Sequence, residues 1–148
     1  MINVEKSIII NRSVEEVFNY VSDLTHSGQW QKGLVEIRKT TGGPVGVGTQ
    51  YVFVREFIGR KMEASNEITE FVPTSKVAFK TISGPIPLEA SYHFEMTGKA
   101  TKITSKIAMQ AKGFVSLAEP LISGSLQKDV ESSLGVLKNM LESQVVTV

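Results

Sequence analysis

The chain has 148 residues, 41% of them apolar, which fits one folded domain over residues 1–148 and excludes a disordered chain. Sixteen Lys plus Arg against fifteen Asp plus Glu leave a net charge of +1, too weak a field for counterion-driven attachment to nucleic acid or anionic lipid. There is no cysteine, and the only histidines are His26 and His93, so a disulfide framework, a thiolate metal site, a thiol nucleophile and a histidine cage are excluded, and neither metal nor cofactor is expected.

No apolar run approaches the roughly eighteen residues of a membrane span. The start, Met1-Ile2-Asn3-Val4-Glu5-Lys6, lacks the basic-then-apolar order of a signal peptide. The expectation is a cytoplasmic chain without stable membrane insertion.

The β-branched stretch from Ile2 to Asn11, with Ile8, Ile9 and Ile10, favours a strand. Ser13 follows as a helix cap, with Glu16 three residues on in the capping-box position. Val14, Val17, Phe18 and Val21 then fall at i, i+3, i+4 and i+7, giving a short helix with one apolar stripe. Asp23 or Thr25 caps a second short helix that carries His26 and Trp30, made irregular by Gly28 and Gly33.

From Leu34 to Gln110 the spacing changes to alternating runs, which predicts five or six antiparallel strands. The breaks are Gly42-Gly43-Pro44 with Gly46 and Gly48, Gly59-Arg60, Pro73-Thr74-Ser75, Ser83-Gly84-Pro85-Ile86-Pro87 and Thr97-Gly98-Lys99. After Gly113 a helical recurrence of Leu121, Leu126, Val130, Leu134, Leu137 and Leu141 predicts one long helix that begins or kinks near Pro120. The order defines an α+β class, with helices gathered on one face of an antiparallel sheet.

This order resembles the START-like, helix-grip superfamily, also called SRPBCC, in its bacterial polyketide cyclase/dehydrase-like branch. The resemblance rests on Ser13-Val14-Glu15-Glu16-Val17-Phe18 after the opening strand, the Asp23 to Trp30 segment, Val45-Gly46-Val47-Gly48-Thr49, Phe57-Ile58-Gly59-Arg60, Ile68-Thr69-Glu70-Phe71-Val72-Pro73, Ser83-Gly84-Pro85-Ile86-Pro87 and the Leu137 to Glu142 helix. It implies a curved seven-stranded antiparallel sheet wrapped around the C-terminal helix, two short helices between strands 1 and 2, and a cavity for a small, largely apolar ligand. The branch has no universal catalytic motif, so no catalytic residue is carried over. The turn Thr97-Gly98-Lys99-Ala100-Thr101 is basic here where the family usually has an acidic or glycine-rich one.

The hairpin at Gly59-Arg60 shows which side chains share a face. With a two-residue loop, Ile58 opposes Lys61, Phe57 opposes Met62, Arg55 opposes Ala64, Phe53 opposes Asn66 and Tyr51 opposes Ile68. One face then collects Tyr51, Phe53, Phe57, Met62 and Ile68 and brings Arg55 and Asn66 with it. A guanidinium on an apolar face needs an anion or several acceptors. Arg55 therefore anchors a ligand's carboxylate, carbonyl or phenolate, with Asn66 as a second contact, or it pairs with an internal carboxylate. A bulge that moves the register by one would instead put Glu56 inside. In this register Glu56 opposes Glu63, a mildly repulsive pair.

The later strands offer Val77, Phe79, Thr81, Leu88, Ala90, Tyr92, Phe94, Met96, Ile103, Ser105, Ile107 and Met109 to the inner face, and Trp30 caps one end of the cavity. The candidate ligand-binding residues are Arg55, Asn66, Tyr51, Phe53, Trp30, Met62, Phe79, Tyr92, Phe94 and Ser105. His26, four residues before Trp30, is a candidate proton handler at the mouth, whereas His93 alternates with Tyr92 and Phe94 and faces outward.

The glycines from Gly42 to Gly48 do not make a phosphate loop, because Tyr51 stands where a dinucleotide fingerprint needs glycine and no Gly-Lys-Ser/Thr opens a helix. Lys99, Lys102, Lys106 and Lys112 form a basic stripe without interleaved aromatics, so nucleic acid is not an expected partner. The expected function is carriage or sequestration of a small hydrophobic molecule with a polar or anionic end. The alternative is a polyketide cyclase/aromatase- or dehydrase-like enzyme in which Tyr92, Arg55 or His26 handles protons. A third reading is an interaction protein that uses its long helix or outer sheet, and an exposed strand edge or helix face allows a homodimer.

Overall fold

A computed structural model describes residues 1–57, 59–110 and 114–143, without the side chains of Phe57, Phe114 and Val115. The expectations for Phe57 as a core side chain, for Ile58 opposite Lys61 and for Lys112 in a basic stripe lie outside the described residues. Seven strands form one antiparallel sheet: β1 (Ile2–Ile10), β2 (Leu34–Lys39), β3 (Gln50–Phe57), β4 (Arg60–Val72), β5 (Lys76–Ser83), β6 (Leu88–Thr97) and β7 (Ala100–Met109). Their order across the sheet is β1-β7-β6-β5-β4-β3-β2, so β2 to β7 run as a meander and β1 adds to the far edge. Helices α1 (Val14–Ser22), α2 (Phe114–Leu117) and α3 (Glu119–Ser143) complete the helix-grip α+β fold.

Local chemistry sets the element ends. The Ser13 hydroxyl accepts from the Glu16 amide at 3.3 Å and donates to the Glu16 carboxylate at 3.0 Å, which fixes the start of α1. Asp23 accepts from the Thr25 amide at 3.1 Å and opens a short 3-10 helix, Leu24–Gln29. That piece ends before Trp30, so His26 lies on it and Trp30 does not, because Gly28 and the positive-φ Gly33 stop any longer helix. Pro120 is the second residue of α3, where its missing amide breaks no helical hydrogen bond.

The β3–β4 pairing differs from the expected register by two residues: Tyr51 faces Asn66, Phe53 faces Ala64, Arg55 faces Met62 and Phe57 faces Arg60. An even slip leaves every side chain on its expected face. It also sets Lys61, not Glu63, opposite Glu56 and so removes the like-charge pair. Irregularities between Leu34 and Glu36, Ser65 and Asn66, and Ile68 and Glu70 add bends to the far strands.

The core packs Val14, Val17, Phe18 and Val21 of α1 against Tyr51, Ile68, Val77, Phe94, Ile103, Leu134, Leu137 and Leu141. A smaller cluster joins Ile2, Val4, Met109 and Ile122. Two expected core positions are exposed instead. Leu121 is 77% exposed because Ile122 takes the inward position in the first turns of α3, and Met96 lies at the end of β6, past the covered part of the sheet.

Candidate functional site

Between the sheet and α3 lies a cavity of about 130 Å³. Trp30, Phe79, Tyr92, Ser105 and Ile107 wall it on one side, and Leu126, Val130 and Leu134 of α3 on the other. A second hollow of about 70 Å³ is bounded by Phe53, Met62, Asn66, Thr81 and Ile86. Arg55, Phe79, Leu88 and Met109 border both, so Arg55 stands at the partition. Near the smaller hollow the β5–β6 loop sits against β4 so closely that a Cβ on Gly84 would come within 2.9 Å of the Ala64 Cβ.

An aromatic series lines the inner face: Phe53 to Phe79 at 5.6 Å between ring centres, Phe79 to Tyr92 at 6.3 Å and Tyr92 to Trp30 at 5.8 Å. The Arg55 guanidinium lies 5.4 Å from the centre of the Phe53 ring, a cation–π distance. Its Nη2 donates to Gln31 Oε1 at 2.9 Å, and Gln31 Nε2 donates to the Tyr92 hydroxyl at 2.6 Å. No ion pair to Arg55 exists among the described residues, so the internal-carboxylate reading finds no partner there. Loss of water lowers the Arg55 pKa, although an arginine keeps its charge at any physiological pH. Burial pushes Tyr92 up to about 12, against the opposing pull of the Arg55 charge and the Gln31 hydrogen bond.

Eight of the ten candidate residues border these hollows: Arg55, Asn66, Phe53, Trp30, Met62, Phe79, Tyr92 and Ser105. Asn66 is engaged within the fold, its amide oxygen accepting from the Thr81 hydroxyl at 3.2 Å, while Thr81 in turn accepts from the Leu88 amide. Tyr51 and Phe94 stand elsewhere, in the packed core. Phe94 meets Phe18 edge-on at 5.1 Å. The Tyr51 hydroxyl is buried without a hydrogen bond of good geometry, and desolvation and the Asp23 charge push it up to about 12 while the Leu24 backbone draws it slightly down.

His26 does not border the cavity. Its Nδ1 is 2.7 Å from the Tyr20 carbonyl oxygen and its ring stacks on Tyr20 at 4.4 Å. His93 lies on the outer face, with Nε2 3.0 Å from the Ser91 hydroxyl. Gln31 is the residue the sequence did not single out. It follows an irregular 3-10 segment, where no periodicity aims a side chain, and adjacency to Trp30 was its only signal.

At the rim, the Lys32 amide donates to the Ser133 hydroxyl at 3.0 Å, and the Lys32 and Asp129 side chains lie 3.5 Å apart, tying the segment before β2 to α3. A larger hollow of about 590 Å³ lies on the outer face of the sheet. Lys76 pairs there with Glu70 and Lys106 with Glu5 at 3.9 Å, and Lys80 and Glu89 are exposed, so among the described residues its charges are paired or solvated. Among the described residues no group of His, Asp and Glu forms a metal site, and no helix is long and apolar enough to cross a membrane.

A curved antiparallel sheet that grips a long C-terminal helix is the architecture of START and polyketide cyclase-type domains. The sequence profile of the family described as "Polyketide cyclase / dehydrase and lipid transport" matches residues 1–142, and the chain belongs to that family. Its fold is similar to that of TTHA0849 from Thermus thermophilus, with a TM-score of 0.82 at 20% identity over 96% of this chain and 99% of that one. It is also similar to the Zhui aromatase/cyclase from Streptomyces sp. R1128, with a TM-score of 0.77 at 10% identity over 98% and 96%. A START superfamily protein from Mycobacterium smegmatis aligns with a TM-score of 0.71 at 15% identity over 96% and 95%. No curated protein matches the chain.

Proposed function

We propose that the protein binds a small hydrophobic molecule with a polar or anionic end in the cavity between the sheet and α3, and carries or sequesters it. The observation that supports this reading is the Arg55–Gln31–Tyr92 chain: a cation held on an apolar wall with no carboxylate partner among the described residues. Its donors fix the polar end, while the aromatic wall and the apolar face of α3 take the rest at roughly 25 cal/mol per Å² buried. Size bounds the ligand. A hollow near 130 Å³ is on the scale that takes about one aromatic ring, since a cavity of about 150 Å³ holds benzene.

The cyclase reading uses the same pocket, and the Zhui structure carries the name aromatase/cyclase. It requires a group that accepts a proton from the substrate. Of the titratable groups that border the cavity among the described residues, Arg55 and Tyr92 both hold their protons at neutral pH, Asp129 faces Lys32 at the rim, Glu56 is exposed, and His26 is elsewhere. This favours binding over proton transfer.

Thermal unfolding in the presence of toluene or benzoate tests the proposal. Both raise the melting temperature, benzoate more than toluene at equal concentration, and saturation at a hundred times Kd stabilises by about 2.7 kcal/mol. An unchanged melting temperature with both contradicts it.

A further inference from the structure

The hydrogen bonds around Arg55 run in one direction, and this selects the charge state of the ligand. Gln31 Oε1 accepts from Arg55 and Gln31 Nε2 donates to Tyr92 Oη. Turning the amide over would set its NH2 group against the guanidinium, donor against donor, so the Arg55 charge fixes its orientation. The Tyr92 oxygen therefore acts as an acceptor, and its own proton remains to be donated. No residue among those described takes it. Arg55 likewise keeps N–H donors beyond the one given to Gln31, and among the described residues no carboxylate forms an ion pair with it.

The groups that face this pair from each packed element are few. Next to Arg55, β3 brings Glu56, which is exposed and opposite Lys61. The segment before β2 brings Gln31 and Lys32, and α3 brings Asp129, which faces Lys32 at 3.5 Å. From β7 comes Ser105, a hydroxyl that donates or accepts. The two carboxylates thus stand at the rim, one beside a lysine and the other in solvent, and the interior presents a positive charge and a spare phenolic proton.

Resting on the ligand-binding reading above, we propose that the cavity between the sheet and α3 takes its ligand as the conjugate base of a weak acid about one aromatic ring in size, a phenolate or an aromatic carboxylate. The acid loses its proton to solvent, and the oxyanion accepts from the Arg55 guanidinium and the Tyr92 hydroxyl. The acid form would set its own O–H against these donors and leave the guanidinium without an anion. Binding therefore lowers the acid's pKa.

The experiment uses 4-nitrophenol, whose phenolate alone absorbs visible light, with nitrobenzene as the neutral ring of similar shape. At a pH equal to the probe's own pKa, excess protein raises the visible absorbance, and the probe's pKa falls by at least about one unit, a tenfold preference for the anion. Arg55→Met abolishes the shift and Tyr92→Phe reduces it, while nitrobenzene still raises the melting temperature of both variants.

A fall in visible absorbance, showing that the bound probe is protonated, overturns the inference without touching the pocket reading, which nitrobenzene reports separately. A full shift in Arg55→Met does the same. Absence of any effect from either probe on the unmodified protein overturns both. The sign of the absorbance change in the unmodified protein decides the matter even where a variant fails to fold.

Discussion

The two halves of α3 meet the sheet in different ways. Toward its C-terminal end, Leu134, Leu137 and Leu141 are buried in the main core, and polar contacts bolt the last turn to the start of the fold. Arg12 Nε donates to the Leu141 carbonyl at 2.7 Å, Lys138 Nζ donates to the Ile9 carbonyl at 2.6 Å, and the Glu142 carboxylate accepts from the Asn11 amide at 2.8 Å. Toward its N-terminal end the helix buries Ile122 and leaves Leu121 in water, while Leu126 and Val130 are only partly covered along the cavity. The main core holds the C-terminal end, Ile122 against Ile2, Val4 and Met109 holds the start, and the hollow persists under the stretch between. The sheet cannot close on that stretch without breaking contacts at the two ends, and the curved strands hold the far wall.

The largest expected effect separates these halves. Leu137→Ala, at a fully buried position in the main core, costs about 3–4 kcal/mol in urea unfolding. Ile122→Ala, in a smaller cluster with fewer buried neighbours to lose, costs about 2 kcal/mol. Equal costs would erase the contrast between a packed and a spanning end.

The next effect concerns how dry the hollow is. Tyr92 on its wall and Tyr51 in the packed core are both raised from 10.0 to about 12 by burial. Each phenol stays protonated in the folded chain at pH values where the unfolded chain has lost that proton. Stability from these groups is therefore intact below pH 10 and is lost as pH rises toward 12. Tyr92→Phe reduces the alkaline loss seen in pH-dependent unfolding. If the variant loses stability as steeply as the parent, the hollow is wet and its phenol solvated.

The smallest effect falls on Arg55. The hydrogen bond to Gln31 and the Phe53 ring offset the water Arg55 has lost, so Arg55→Met changes unfolding by no more than about 1 kcal/mol in either direction. A loss of several kcal/mol would make the guanidinium a structural ion rather than a ligand anchor.

The same contrast governs what the sequence revealed. Strand faces were legible because alternation has a period of two. The β3–β4 register was misplaced by two residues, and Arg55 and Asn66 still fell on the inner face. The packed half of α3 was legible too, because Leu134, Leu137 and Leu141 keep a helical spacing. The spanning half was not: Leu121 and Ile122 are adjacent apolar residues, and only the surroundings decide which turns inward. The cavity-lining residues on regular strands were readable, while Gln31, which joins Arg55 to Tyr92, lies where the chain has no periodicity. Tyr51 and Phe94 share the inner face but sit under α1, and strand alternation does not tell core from cavity lining.

Calorimetric titration with benzoate, comparing the unmodified protein with Ala90→Phe, tests the central claim most directly. Ala90 borders the cavity between the sheet and α3, and a phenyl ring in its place fills that space. The account predicts one benzoate bound per chain in the unmodified protein and none in the variant. Equal binding by both, or none by the unmodified protein, would contradict it.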